Sequence, residues 1–60
     1  MKKWKATIDN ATGLMIESQS AASSDAAMLG NAERAGFSDV SIILVTEVEH
    51  DALIAARYAA

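Results

Sequence analysis

Residues 40 to 48, VSIILVTEV, constrain the fold of this chain more than any other stretch. A half-buried strand alternates apolar and polar side chains, because successive residues point to opposite faces of a sheet. Here one parity reads Val40, Ile42, Leu44, Thr46, Val48 and the other reads Ser41, Ile43, Val45, Glu47. Both faces are apolar in the middle, so the strand needs cover on two sides. The chain has only 60 residues, and a domain of that size buries only about 60% of the surface its unfolded chain exposes. Cover for the second face must come from the C-terminal segment or from another molecule.

Composition narrows the ways such a chain can be stabilised. There are no cysteines, which excludes disulfides and thiolate metal sites as staples and leaves self-association as the common remedy. The hydrophobic fraction is 52%, but much of it is alanine, which buries little. The larger anchors are Trp4, Ile8, Leu14, Met15, Ile16, Met28, Leu29, Phe37, the 40 to 48 run, Leu53, Ile54 and Tyr58. After the basic opening MKKWK no apolar stretch of signal-peptide length follows, and no run approaches the roughly 20 residues of a membrane span. A cytoplasmic protein with no membrane contact is the expectation. The formal charge of −3 disfavours general binding to a phosphate backbone, so nucleic acid is not an expected partner.

Residues 3 to 8 alternate, with Trp4, Ala6 and Ile8 on one face and Lys3, Lys5 and Thr7 on the other, predicting a strand with one wet side. Asp9 to Gly13 follows as a hairpin turn, with Gly13 free to take positive φ. The return strand runs from Leu14 to Ser18, with Leu14 and Ile16 on the core face and Met15, Glu17 and Gln19 outward. Ser23 or Ser24 then caps a helix over about 24 to 35, in which Met28, Leu29, Ala32 and Ala35 gather on one side. Gly30 weakens that helix. Ala35-Gly36-Phe37 reads as its stop, with Gly at C′ and an apolar residue folding back. The third strand is the 40 to 48 run, and a second helix begins near His50 or Asp51.

The order β-β-α-β-α specifies one small α+β domain spanning 1 to 60. A helical crossover leaves strands two and three parallel, so strand three lies antiparallel beside strand one, in the order 2-1-3, in an antiparallel or mixed sheet. One helix lies on a face of that sheet, followed by the C-terminal helix. Lys2, Lys3 and Lys5 then fall near Glu47 and Glu49, which favours this register. Strand three becomes an edge that is long, β-branched and free of Pro and Lys, the profile of a strand that pairs with another chain. A homodimer is expected, either joined at strand three or with the C-terminal helices crossing between subunits. The alternative is a monomer whose residues 51 to 60 cover Ile43 and Val45.

Chemistry-bearing patterns are sparse. His50 is the only histidine and sits in Glu47-Val48-Glu49-His50-Asp51, where the carboxylates could join it around a divalent ion. No second His and no Cys complete a zinc set, and consecutive residues at a strand end point in different directions. Neither a nucleophile elbow nor a glycine-rich phosphate loop is present, and so small a chain leaves little room for a pocket of a few hundred Å³. No catalytic, cofactor-binding or metal residues are assigned. Trp4 beside the lysines could stack on a nucleic-acid base, but its parity with Ala6 and Ile8 favours the core.

In size and plan the chain is similar to small accessory proteins of phages and mobile elements, including inhibitors of bacterial defence systems; that likeness assigns no residue roles. The expected function is a non-enzymatic interaction module that self-associates and binds a larger protein partner, as such an inhibitor would. Its candidate surface is Met15, Asp39, Ile43, Val45, Glu47, Glu49, Asp51 and Tyr58. The competing expectation is an oligomeric small-ligand, metal-binding or catalytic protein with an interfacial site around His50.

Overall fold

The computed structural model describes residues 1–59. Strands β1 (Lys2–Asp9) and β2 (Met15–Ser20), helix α1 (Asp25–Arg34), strand β3 (Val40–Thr46) and helix α2 (Glu47–Ala59) follow in that order. The three strands form one sheet in the order β2-β1-β3 with both pairings antiparallel. Architecture and strand order are those expected from the sequence.

Local chemistry explains the turns and helix ends. Asp9 organises the hairpin: its carboxylate accepts from the Ala11 N–H at 3.1 Å and the Thr12 hydroxyl at 3.2 Å, while Gly13 closes the turn at φ 75°. Ser24 is the N-cap of α1, its hydroxyl oxygen accepting from the Ala27 N–H at 3.3 Å. At the other end Phe37 N–H donates to Ala32 C=O at 2.9 Å and Gly36 N–H to Glu33 C=O at 3.0 Å. With Gly36 at φ 93°, this is a Schellman stop that directs Phe37 back along the helix. A Cβ on Gly30 would meet only the flexible end of Arg34, at 3.3 Å, so no close packing requires that glycine.

Each helix covers one face of the sheet. Beneath α2 lie Ala6, Met15 and Val45, with Trp4, Ile8, Leu53 and Ile54 packed around them. On the other face Thr7 is fully buried, and α1 contributes the buried Met28 and Ala32. The face of β1 expected to be wet is therefore covered: α1 lies over it, and Lys5 is drawn into an ion pair with Asp25 at 2.6 Å. The anticipated pairing of Lys2, Lys3 and Lys5 with Glu47 and Glu49 reduces to a distant attraction of Lys2 on Glu49.

Two further expectations are corrected. Met15 is buried in the core rather than outward, because the β1–β2 register shifts between Thr7 and Ile8: Thr7 pairs with Glu17 and Ile8 with Met15. Ile16 is the extra residue of a β-bulge, and one extra residue reverses the parity of everything before it. Strand β3 ends at Thr46 rather than Val48, and α2 starts at Glu47, ahead of His50. The cause is a capping box. Glu49 N–H donates to Thr46 Oγ1 at 3.2 Å, and Thr46 N–H donates back to Glu49 Oε1 at 2.8 Å.

Candidate functional site

The polar constellation around His50 is built by α2 and the two strands beneath it. One α-helical turn after the Thr46 cap, the helical period turns His50 toward the sheet with Leu53 and Ile54. The imidazole is buried and stacks on the Trp4 indole, with centroids 4.2 Å apart and planes at 14°. Its Nε2 lies 2.8 Å from Ser18 Oγ on β2. Trp4 Nε1 in turn donates to Glu47 Oε2 at 2.8 Å. The stack therefore ties α2 to β1 through Trp4 and to β2 through Ser18.

That geometry holds a helix on a sheet. A serine hydroxyl 2.8 Å from an imidazole has the spacing of a nucleophile and its base, but catalysis also requires a substrate cleft and donors for a developing oxyanion. Neither of the two main clefts is lined by Ser18 or His50. The acidic neighbours of His50 point elsewhere: Glu47 to Trp4, Glu49 to the Thr46 cap, Asp51 to solvent. Among the described residues no group of three or more His, Cys, Asp or Glu side chains is placed to hold a metal ion. Glu49 has its pKa lowered, first by the Thr46 backbone N–H and then by the Thr46 hydroxyl, with Lys2 adding a smaller attraction.

The candidate surface residues separate into three groups. Met15 and Val45 lie in the core, each 3% exposed. Ile43 and Leu44 stay 42% and 48% exposed on the outer edge of β3, and neighbouring Val48 is 78% exposed. Tyr58 is also exposed, on the solvent face of α2. The acidic residues lie at opposite ends of β3. Asp39 precedes its first residue and accepts from Asn10 Nδ2 at 3.0 Å, whereas Glu47, Glu49 and Asp51 follow its last. Seven residues of strand separate them by roughly 20 Å, so within one chain they make no common patch.

Sequence reasoning missed a cleft at the hairpin end of the molecule, about 460 Å³ in volume, walled by Leu14, Ile16 and Phe37 with Asp9, Thr12 and Arg57 at its polar side. The expectation that so small a chain leaves little room for a pocket of a few hundred Å³ is corrected. Its signal in the sequence is Arg57, the fourth member of the stripe His50, Leu53, Ile54, Arg57 that faces the sheet.

No helix among the described residues is long and apolar enough to cross a membrane. In comparisons with protein families, curated proteins and solved structures, the chain matches none.

Proposed function

We propose that this chain is a non-enzymatic interaction module that dimerises through the open edge of β3 and offers the joined surface to a larger protein partner. The observation that carries the reading is the edge itself. β3 pairs with β1 on one side only, and two helices leave Ile43 on one face and Leu44 on the other about half exposed. An unpaired strand flanked by apolar side chains on both faces is a template for a further strand.

Isologous antiparallel pairing of two such strands forms a continuous six-stranded sheet, a common size. A two-fold axis centred on Ile43 places Asp39 of one copy opposite Glu47 of the other. The acidic residues that lie apart in one chain then meet in two composite patches. A basic protein surface is the complementary partner, and blocking such a surface on a larger complex, as an inhibitor would, is the sharper form of the reading. The same patches make the dimer self-repulsive at its ends, so added salt should tighten it.

Sedimentation equilibrium from low to high micromolar protein, at about 20 mM and 300 mM salt, tests the proposal. A monomer–dimer equilibrium that tightens with salt supports it. A monomer at every concentration and both salts refutes the dimer, and a dimer that salt weakens refutes this register.

A further inference from the structure

We propose that the cleft at the hairpin end binds a small carboxylate with an apolar body, of the size and class of a medium-chain fatty acid. Its volume of about 460 Å³ lies within the range of roughly 300 to 1,000 Å³ typical of small-molecule sites. Three separate segments build it. The β1–β2 hairpin supplies Leu14 and the bulge residue Ile16, the Schellman stop of α1 positions Phe37, and the last turn of α2 supplies Arg57.

The polar atoms of the cleft decide the ligand's charge. Asp9 keeps its negative charge, but each of its two oxygens is turned to its own hairpin, accepting from the Ala11 N–H and the Thr12 hydroxyl. The Thr12 hydroxyl is committed as well, donating to Asp9 and accepting from the Leu14 N–H at 3.2 Å. What remains is the Arg57 guanidinium, which among the described residues meets no carboxylate within 4.0 Å. It follows His50, Leu53 and Ile54 on the stripe of α2 that packs on the sheet, and although exposed it lines the mouth of the apolar cleft. A planar fork of N–H donors beside an apolar wall matches a carboxylate attached to a hydrocarbon. The carboxylate would sit on Arg57 and the chain would lie over Leu14, Ile16 and Phe37. No residue of β3 lines the cleft, so this site stands apart from the proposed dimer edge.

The test is an amide NMR titration of the full chain with octanoate, octylamine and octanol in parallel, repeated on Arg57→Gln. Arg57 is exposed, so the variant should retain the wild-type melting temperature. Saturable shifts with octanoate at residues 12–16, 37 and 57 support the site. So does a loss of affinity of about three- to tenfold in Arg57→Gln, as for a partly exposed charge pair, with octanol binding both proteins equally. Three results would each overturn it: octylamine binding as tightly as octanoate, octanoate shifts centred on Ile43 and Leu44, or no saturation at millimolar concentration.

Discussion

The sheet has two edges, and the chain treats them in opposite ways. β2 is short, bulged at Ile16 and polar from Glu17 to Ser20. Its side chains are tied to a helix on each face: Ser18 to His50 of α2 at 2.8 Å, and Glu17 to Asn31 of α1 at 3.4 Å. β3 is unbulged between Val40 and Val45 and apolar on both faces. Among the described residues its only side-chain hydrogen bonds are at its two ends, from Ser41 to Asn10 and between Thr46 and Glu49. Bulges and polar side chains are ordinary protection against strand addition. The chain applies them to one edge and omits them from the other, and the proposed dimer rests on that difference.

The largest effect expected from this contrast is on association. Ile43→Lys should weaken the dimer about 100-fold, because both copies lose the contact and each buried Ile contributes roughly 1.5 kcal/mol. Gln19→Lys, the corresponding charge on the β2 edge, should leave association unchanged. Sedimentation equilibrium on the two variants decides the matter, and equal weakening by both would remove the asymmetry between the edges. Since Ile43 is already 42% exposed in the single chain, the melting temperature of the dilute Ile43→Lys monomer should match that of the dilute wild type.

The second effect is on the polar tie of β2. His50→Ala removes a buried ring that stacks on Trp4 and leaves Ser18 without its partner. A loss of about 2 to 3 kcal/mol is expected in urea unfolding followed by Trp4 fluorescence. His50→Phe keeps the ring and loses only the hydrogen bond, so it should cost about 1 kcal/mol. If both variants cost the same, the Ser18 bond rather than the stack secures α2.

How much of this was legible in the sequence follows from which forces are local. The α1 cap, read as Ser23 or Ser24 and found at Ser24, the Gly13 turn and the Gly36–Phe37 stop each depend on a few adjacent residues, and each was readable. So was the strand order, which follows from connectivity. The bulge at Ile16 was not: it is a choice between two strands, and nothing in MIESQS marks which residue is extra. That single insertion turned Met15 from a surface residue into core. The capping box was legible but masked, because Thr46-Glu47-Val48-Glu49 also satisfies the alternation of a continuing strand, and the cap prevailed over the pattern. The convergence of Trp4, Ser18 and His50 spans 46 positions of chain, and no local pattern reports it.

That cap is what stops β3 at Thr46, and it carries the third prediction. Thr46→Ala should cost about 1 kcal/mol in thermal or urea unfolding, as for other N-cap deletions. The partner group sets a pH dependence. The folded-state pKa of Glu49 lies below its usual 4.5, so its ionised form is the one the fold favours. Its stabilising contribution is complete above the unfolded value and is lost as pH falls through the lowered folded value. The wild type should therefore exceed Glu49→Gln in stability at pH 7, and the two melting curves should converge only in acid, once the pH is below the lowered folded-state pKa. A difference that persists at low pH would show that hydrogen bonding by the neutral group suffices for the cap.

The smallest effect distinguishes the two ties that hold β2. Asn31 reaches Glu17 at 3.4 Å, at the long limit of a hydrogen bond, and its amide oxygen also accepts from Arg34 on the same helix. Asn31→Ala loses both, but alanine is the better helix former by several tenths of a kcal/mol. A partly exposed bond to a charged group contributes about the same or somewhat more. The net change expected in urea unfolding is therefore about 0.5 kcal/mol or less, well under that for His50→Ala. The β2 edge would then be secured through the α2 face, with the α1 face adding polarity more than strength. A loss of 1.5 kcal/mol or more in Asn31→Ala would invert that ranking. It would make Glu17, beside the bulge, the residue on which the protected edge depends.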